Sequence, residues 1–186
     1  MKRLEISHLP LAGLKLITRH RLGDSRGSFS RLFCAEELAT AFWTKPIAQI
    51  NLTVTPKIGT VRGMHFQHSP YSEMKLVTCL RGDVYDVAVD LRQGSPTFLC
   101  WHGEMLSADN NRAMLIPEGF AHGFQALTDD VELLYCHSAP YAAGFEGGVQ
   151  PTDPQLSIVW PMQIARLSER DSDHPLLTDS FLGIVL

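Results

Sequence analysis

The chain has 186 residues, about the length of one compact domain, and apolar residues make up 45% of it, enough to bury a substantial core. Sixteen basic and 20 acidic side chains leave a net charge of -4. That balance lacks the basic excess typical of nucleic-acid-binding proteins and argues against such a partner. Apolar runs are far shorter than the roughly 20 residues that cross a bilayer, and the N-terminus lacks a signal-peptide pattern, so we expect a cytoplasmic protein without a membrane partner.

Strand patterns dominate the chain. In order, the sequence predicts a strand over 14–19, one short helix over 35–42, and strands over 47–55, 74–80, 83–91 and 131–136. The segment 83–91 alternates strictly, and turn residues recur every 10 to 15 positions, which is typical of antiparallel strands in a sandwich or barrel. The more polar tail from about 162 is expected to wrap around the outside.

Two stretches place polar groups within strand patterns. Residues 59–67 contain Arg62 and His65 and are followed by Glu73 and Lys75, and residues 116–125 contain His122. Glycines beside both histidines allow close backbone approach, so we expect a shared pocket inside a barrel. A period of two places Arg62 and His65 on opposite faces of their strand. Taken singly, such a histidine is more often a hydrogen-bonded structural residue, and it is the clustering of these polar residues that favours a site.

The pattern P-x-G-x-x-H at 117–122 resembles the second motif of the cupin superfamily, many of whose members bind a metal. His65, Glu73 and His122 could supply three ligands. However, Gln67 stands where the first cupin motif has its second histidine, so the ligand set is one short and we expect no metal.

A longer ordered series of motifs carries a family resemblance. The series includes R-G-S-F at 26–29, Q-I-N at 49–51, R-G-M-H-F-Q at 62–67, R-G-D-V-Y-D-V-A-V-D-L-R at 81–92 and I-P-E-G-F-A-H-G-F at 116–124. From about 23 to 161 the chain is similar to the dTDP-4-dehydrorhamnose 3,5-epimerase family. The resemblance implies a single all-β cupin jelly-roll domain over 1–186, with a few short peripheral helices and no cofactor. It also implies a homodimer, in which N-terminal strands cross to the partner.

The resemblance further implies a reaction on a nucleotide-linked 4-keto-6-deoxy sugar, in deoxysugar biosynthesis for products such as surface polysaccharide and lipopolysaccharide O-antigen. His65 would be the general base, Asp153 its orienting carboxylate and Tyr135 the acid on the opposite face of the sugar, with Lys75 near the C4 carbonyl oxygen. A base and an acid on opposite faces invert a carbon next to a ketone, and a cation stabilises the enolate.

Substrate-binding residues follow from the same resemblance. Arg62 would contact the diphosphate, which suits the bidentate geometry of a guanidinium. Arg26 and Phe29 would reach the nucleotide in the neighbouring subunit. The remaining pocket positions are His122, Gln49, Asn51 and Tyr141.

Two positions depart from the family pattern. Arg31 replaces an acidic residue and Glu73 replaces a glutamine. Because a cationic donor at position 31 could change which base is bound, we hypothesise CDP or GDP in place of dTDP as the nucleotide.

The leading interpretation is an epimerase that inverts C3, C5 or both. The alternatives are a 3,4-ketoisomerase, or a non-catalytic or metal-dependent cupin sugar-binding protein.

Overall fold

The structure, a computed structural model, describes residues 2–186. Its strands are β1 (Leu4–His8), β2 (Lys15–Arg19), β3 (Leu22–Asp24), β4 (Gly27–Phe29), β5 (Gln49–Thr55), β6 (Val61–Gln67), β7 (Lys75–Arg81), β8 (Asp83–Asp90), β9 (Trp101–Ser107), β10 (Arg112–Ile116), β11 (Phe120–Ala126), β12 (Val131–His137) and β13 (Glu146–Gly148). The helices are α1 (Ala35–Ala39) and α2 (Glu169–Ser172), with a 3-10 turn at Ala143–Phe145. No helix within residues 2–186 is long and apolar enough to cross a membrane.

Two antiparallel sheets form the body of the protein and confirm the all-β jelly-roll prediction. One has the strand order β1-β2-β10-β7-β12-β5, and the other has the order β13-β6-β11-β8-β9. Each predicted strand is found within two residues of its expected start. The predicted helix is also present, although α1 ends three residues before position 42.

Apolar side chains on the facing sides of the two sheets form the largest core cluster, which includes Leu14, Val77, Phe124 and Leu133. Alternate residues on these strands point away from this core. Outside the six-stranded sheet, a second cluster includes α1. Outside the five-stranded sheet, a third cluster includes Leu156 and part of the C-terminal segment. Leu177, Phe181 and Ile184 are the tail residues that pack in this third cluster.

A break in strand pairing corrects the expected orientation of Arg62. In the β6 to β11 pair, His65 lies opposite His122, but Arg62 lies opposite Phe124, so the register shifts between them. The backbones touch at this point, because a Cβ added at Gly63 would lie 2.5 Å from the Cα of Gly123. Because of this irregularity, the side chains of β6 do not alternate simply between the two faces of the sheet. Arg62 and His65 therefore line the same cavity.

The N-terminal strands behave in two ways. Strands β1 and β2 join the six-stranded sheet of their own chain through β10. The β3 to β4 hairpin pairs only with itself, and all six of its residues are exposed. The expected crossing of N-terminal strands to a partner subunit stays a prediction.

Candidate active site

A cavity of about 210 Å³ opens between the two sheets. Strands of both sheets line it, because β5, β7 and β12 belong to one sheet and β6 and β11 to the other. Nine of the thirteen residues predicted for the site line this cavity: Gln49, Asn51, Arg62, His65, Glu73, Lys75, His122, Tyr135 and Tyr141. The other four, Arg26, Phe29, Arg31 and Asp153, do not.

His65 on β6 pairs with Asp171, a residue that we did not predict for the site. The Nε2 atom of His65 lies 2.7 Å from Oδ1 of Asp171. The Asp171 carboxylate also accepts a hydrogen bond from the backbone N–H of Gly63. Burial alone would raise the pKa of Asp171, but the hydrogen bond and charge of His65, together with hydrogen bonds from Gly63 and Ser168, outweigh it and the pKa is lowered. An ionised carboxylate at Nε2 holds the neutral imidazole in the tautomer that leaves Nδ1 free to accept a proton.

The short helix α2 delivers Asp171 to the cavity wall. Ser168 caps this helix, since its Oγ accepts a hydrogen bond from the backbone N–H of Asp171. Residues 168–171 have the pattern Ser-x-x-Asp, which is typical of the start of a helix. It could have indicated an ordered element in the tail, although nothing in it points towards His65.

Asp153 does not contact His65, which corrects its predicted role. Its side chain is buried, and its two oxygens accept hydrogen bonds from the backbone N–H groups of Gln155 at 2.8 Å and Leu177 at 2.6 Å. The Asp153 carboxylate is thus directed at backbone donors of a tight turn, and the partner of His65 is a different residue, Asp171. Asp153 instead ties the segment that follows α2 to the body of the protein.

Lys75 begins β7 and its ammonium is held on two sides. Nζ donates to the backbone carbonyl of His65 at 3.0 Å and lies 3.3 Å from Oε1 of Glu73. Because an ammonium has three N–H groups, one remains for a ligand in the cavity. Lys75 is buried, so its charge acts in a region where little water screens it.

Glu73 links Lys75 to a second unpredicted residue, His137 at the end of β12. Its Oε2 atom lies 2.8 Å from Nδ1 of His137. Burial would raise the pKa of Glu73, but the hydrogen bond with His137 and the charge of Lys75 lower it overall. Glu73 is therefore an anion in the cavity wall. Nothing in the sequence pattern indicated that His137 would meet it.

Tyr135 lies on β12, in the sheet opposite His65. Its ring meets that of His122 edge-on at 5.7 Å and lies parallel to that of His137 at 5.9 Å. Burial, and then the negative charge of Asp86, strongly raise the pKa of Tyr135. The phenol is therefore protonated at neutral pH, as an acid that donates a proton must be.

His122 on β11 pairs with Asp86 on β8, where Nε2 lies 2.7 Å from Oδ1. Asp86 is fully buried, and burial raises its pKa despite the neighbouring imidazole. The strict alternation of 83–91 already placed Asp86 on the same face as Val84 and Ala88, which are core residues. An acidic residue on a core-facing side was a usable signal for this contact.

The remaining pocket residues lie at the mouth. Gln49 accepts a hydrogen bond from the backbone N–H of Tyr141, and the amide of Asn51 lies 3.4 Å from Nε2 of His137. The exposed Arg62 lies beside them in the lining. These polar groups surround the open end of the cavity, where a charged and hydrated part of a ligand would lie.

The three predicted nucleotide contacts near the N-terminus lie outside this cavity. Arg26 pairs with Asp24 in the exposed β3 to β4 hairpin, and Phe29 in the same hairpin is 63% exposed. Arg31 pairs with Glu37 at 2.5 Å. Within one chain, therefore, the structure does not bring these residues to the other site residues.

The three ligands considered from the sequence do not form a cluster. His65 pairs with Asp171, Glu73 with His137, and His122 with Asp86. Among residues 2–186, a group with metal-ligand proximity is instead formed by His65, Asp171 and His174. That group adjoins the cavity but was not suggested by the sequence.

Comparisons with known proteins identify the family of the chain. The sequence model of the dTDP-4-dehydrorhamnose 3,5-epimerase family matches residues 8–179. A dTDP-4-dehydrorhamnose 3,5-epimerase of Sinorhizobium fredii is 42% identical over 92% of this chain and 88% of its own. A dTDP-4-dehydrorhamnose 3-epimerase of Streptomyces niveus is 41% identical over 95% of this chain and 86% of its own.

Solved structures give the same result. NovW, a 4-keto-6-deoxy sugar epimerase from Streptomyces spheroides, superposes with a TM-score of 0.89 at 40% identity and covers 94% of this chain and 88% of its own. RmlC from Legionella pneumophila, in complex with dTDP-4-keto-L-rhamnose, superposes with a TM-score of 0.90 at 36% identity and covers 98% of this chain and 99% of its own. The chain therefore belongs to the dTDP-4-dehydrorhamnose 3,5-epimerase family and is an isomerase, an epimerase of nucleotide-linked 4-keto-6-deoxy sugars.

Proposed function

We propose that the chain inverts C3, C5 or both in a dTDP-linked 4-keto-6-deoxy sugar, with His65 as base and Tyr135 as acid. The observation that carries this proposal is the placement of the two groups on opposite sheets of one cavity, with the Lys75 ammonium beside them. Inversion needs such an arrangement, because the proton must leave from one face of the ring and return to the other.

The first step is removal of a proton from the carbon next to the C4 ketone. Nδ1 of His65 accepts it, since Nε2 is directed at Asp171. Electrons move onto the C4 oxygen, and the free N–H of Lys75 stabilises the resulting enolate. Asp171 then stabilises the imidazolium that has formed.

The second step is reprotonation from the opposite face. Tyr135 donates its phenolic proton to the same carbon, and the enolate collapses to the ketone. The raised pKa of Tyr135 means that the tyrosinate recovers a proton readily, and the imidazolium of His65 releases the proton that it took from the sugar, before the next turnover. The carbon is inverted without any change in oxidation state, so the step needs no external oxidant or reductant.

For the nucleotide, dTDP is favoured over the CDP or GDP of our sequence hypothesis. That hypothesis depended on Arg31, whose guanidinium is paired with Glu37 in this structure. The Legionella relative is a complex with dTDP-4-keto-L-rhamnose. Arg62 at the cavity mouth is the side chain proposed to bind the diphosphate.

A homodimer is part of the proposal. Strand β5 is the edge of the six-stranded sheet, and its outward residues Ile50, Leu52 and Val54 are each more than half exposed. A row of exposed apolar side chains on a sheet edge is a typical contact surface between chains. Phe29 and Arg26, on the free hairpin, are proposed to enter the partner's cavity mouth.

Deuterium uptake tests the reaction. The enzyme is incubated in heavy water with 4-keto-6-deoxy sugars linked to dTDP, CDP or GDP, and the sugars are analysed by mass spectrometry and NMR. We expect one or two deuterons in the dTDP sugar, none with His65→Ala, and normal uptake with the surface control Lys45→Ala. The number of deuterons tells whether one or both carbons exchange. Absence of uptake from every sugar, or uptake that persists in His65→Ala, would contradict the proposal.

A further inference from the structure

We propose that His65, Asp171 and His174 form a Zn²⁺ site, and that zinc bound there switches the epimerase off. Binding of zinc is argued from the cluster itself. The inhibitory effect rests on the proposed function, because it requires His65 to be the base.

The three side chains already lie together. One ligand atom of each, a ring nitrogen of either histidine and a carboxylate oxygen of Asp171, lies within 4.8 Å of the other two. His65 and Asp171 are the closest pair at 2.7 Å, and the two imidazole rings meet edge-on with centroids 5.8 Å apart. Donors around a tetrahedral zinc lie about 3.3 Å apart, so a rotation of His174 completes the set.

The ring of His174 packs directly against the backbone at Gly148. A Cβ at Gly148 would lie 2.2 Å from the Nε2 atom of His174, so only glycine admits the ring there. That Nε2 atom is buried and has no hydrogen-bond partner among residues 2–186. A buried ring nitrogen without a partner is costly unless a ligand satisfies it.

The chemistry of the group suits zinc. Two imidazoles and one carboxylate are a common ligand set for Zn²⁺, with a fourth position left for water. Metal binding requires neutral histidines and an ionised carboxylate.

Zinc binding and catalysis need different tautomers of His65. As a base, His65 has its proton on Nε2, facing Asp171, and a lone pair on Nδ1. Coordination through Nε2 moves that proton to Nδ1, and the imidazole can then no longer accept a proton from the sugar. No redox change is involved, and removal of the ion by a chelator restores the original tautomer.

Isothermal titration calorimetry with ZnCl2 tests binding directly on the full-length enzyme. We expect one zinc per chain, and an affinity at least about tenfold lower in His174→Gln. The matched control is His102→Gln, which removes a histidine that also neighbours a carboxylate, Glu104, away from the site. A second variant, Gly148→Ala, displaces the His174 ring by its methyl group and should lose affinity in the same way.

Activity measurements separate the two parts of the inference. Zinc should inhibit the wild type and His102→Gln, EDTA should reverse this, and His174→Gln should remain active at zinc concentrations that stop the wild type. Equal zinc affinity in the wild type, His174→Gln and Gly148→Ala would overturn the site. Zinc binding that depends on His174 but leaves deuterium uptake unchanged would overturn the inhibition and would also contradict His65 as the base.

Discussion

The imidazole of His65 and the carboxylate of Asp171 are joined at 2.7 Å although 106 residues separate them in the chain. In the proposed mechanism, this contact defines which nitrogen of His65 acts as the base. It also makes the C-terminal segment part of the active site.

Replacement of Asp171 by asparagine should lower kcat by about 10³-fold or more, because an amide no longer stabilises the required tautomer and the imidazolium. Kinetics and a thermal melt of the same preparation measure this. The matched control is Asp153→Asn, which should keep most of kcat but lose about 1–3 kcal/mol of stability, since a buried acceptor of two backbone N–H groups is altered. If kcat fell in Asp153→Asn and not in Asp171→Asn, our assignment of Asp171 would be wrong.

Replacement of Tyr135 by phenylalanine should separate proton removal from inversion. His65 remains able to remove and return a proton on its own face, so deuterium uptake with retention should continue. Inverted product should fall by about 10²-fold or more. Proton NMR of the sugar during turnover distinguishes the two outcomes. Equal loss of uptake and inversion would indicate that Tyr135 does more than donate the proton.

Replacement of Lys75 by methionine should lower kcat by about 10² to 10³-fold, the usual effect of removing one donor to a developing oxyanion. Methionine keeps much of the buried volume, so the fold should persist. Lys45→Met, at an exposed ion pair with Glu118, is the control and should be unaffected. A Lys75→Met enzyme with normal kcat and a raised KM would show that Lys75 binds the substrate without stabilising the enolate.

The loss of folding stability at acid pH should depend on Asp90. Burial would raise its pKa, but hydrogen bonds from Arg92, Ser95 and Thr97 lower it. A lowered pKa in the folded state means that the ionised form stabilises the fold above the usual pKa of about 3.9 and that this contribution disappears as the pH falls. Asp90→Asn should therefore cost about 1–3 kcal/mol at pH 7 and much less near pH 3, measured by urea unfolding.

Subunit complementation tests the hairpin. Arg26→Ala/Phe29→Ala and His65→Ala chains should each be inactive as homodimers. Co-expressed with two different tags, they should form mixed dimers in which one site has an intact base and receives an intact hairpin from the other chain. Activity in the doubly purified fraction supports the crossing. An inactive mixed dimer would mean that each hairpin serves its own chain.

Much of the fold followed from the sequence, because alternation in β8 and the turn residues around it are local signals. The positions of His65, Lys75 and Tyr135 followed from the family resemblance, and their meeting in one cavity agrees with it. The orientation of Arg62 did not follow, because the register shift beside Gly63 depends on the partner strand as well as on β6 itself.

The orienting carboxylate was missed for a different reason. Asp153 and Asp171 are both acidic residues in irregular segments, and strand periodicity gives no information on which one faces the cavity. The choice is made by long-range contacts: backbone N–H groups satisfy Asp153, whereas Gly63 and His65 meet Asp171. Such contacts exist only after the barrel has formed.

The position of α2 has a consequence for the synthesis of the enzyme. Every strand of both sheets ends at or before Gly148, whereas α2 begins at Glu169. In the proposed mechanism the base therefore receives its carboxylate from a segment that is synthesised after all the strands of the barrel. A nascent chain that stops before α2 would contain every residue that lines the cavity and would still lack the carboxylate that makes His65 a base.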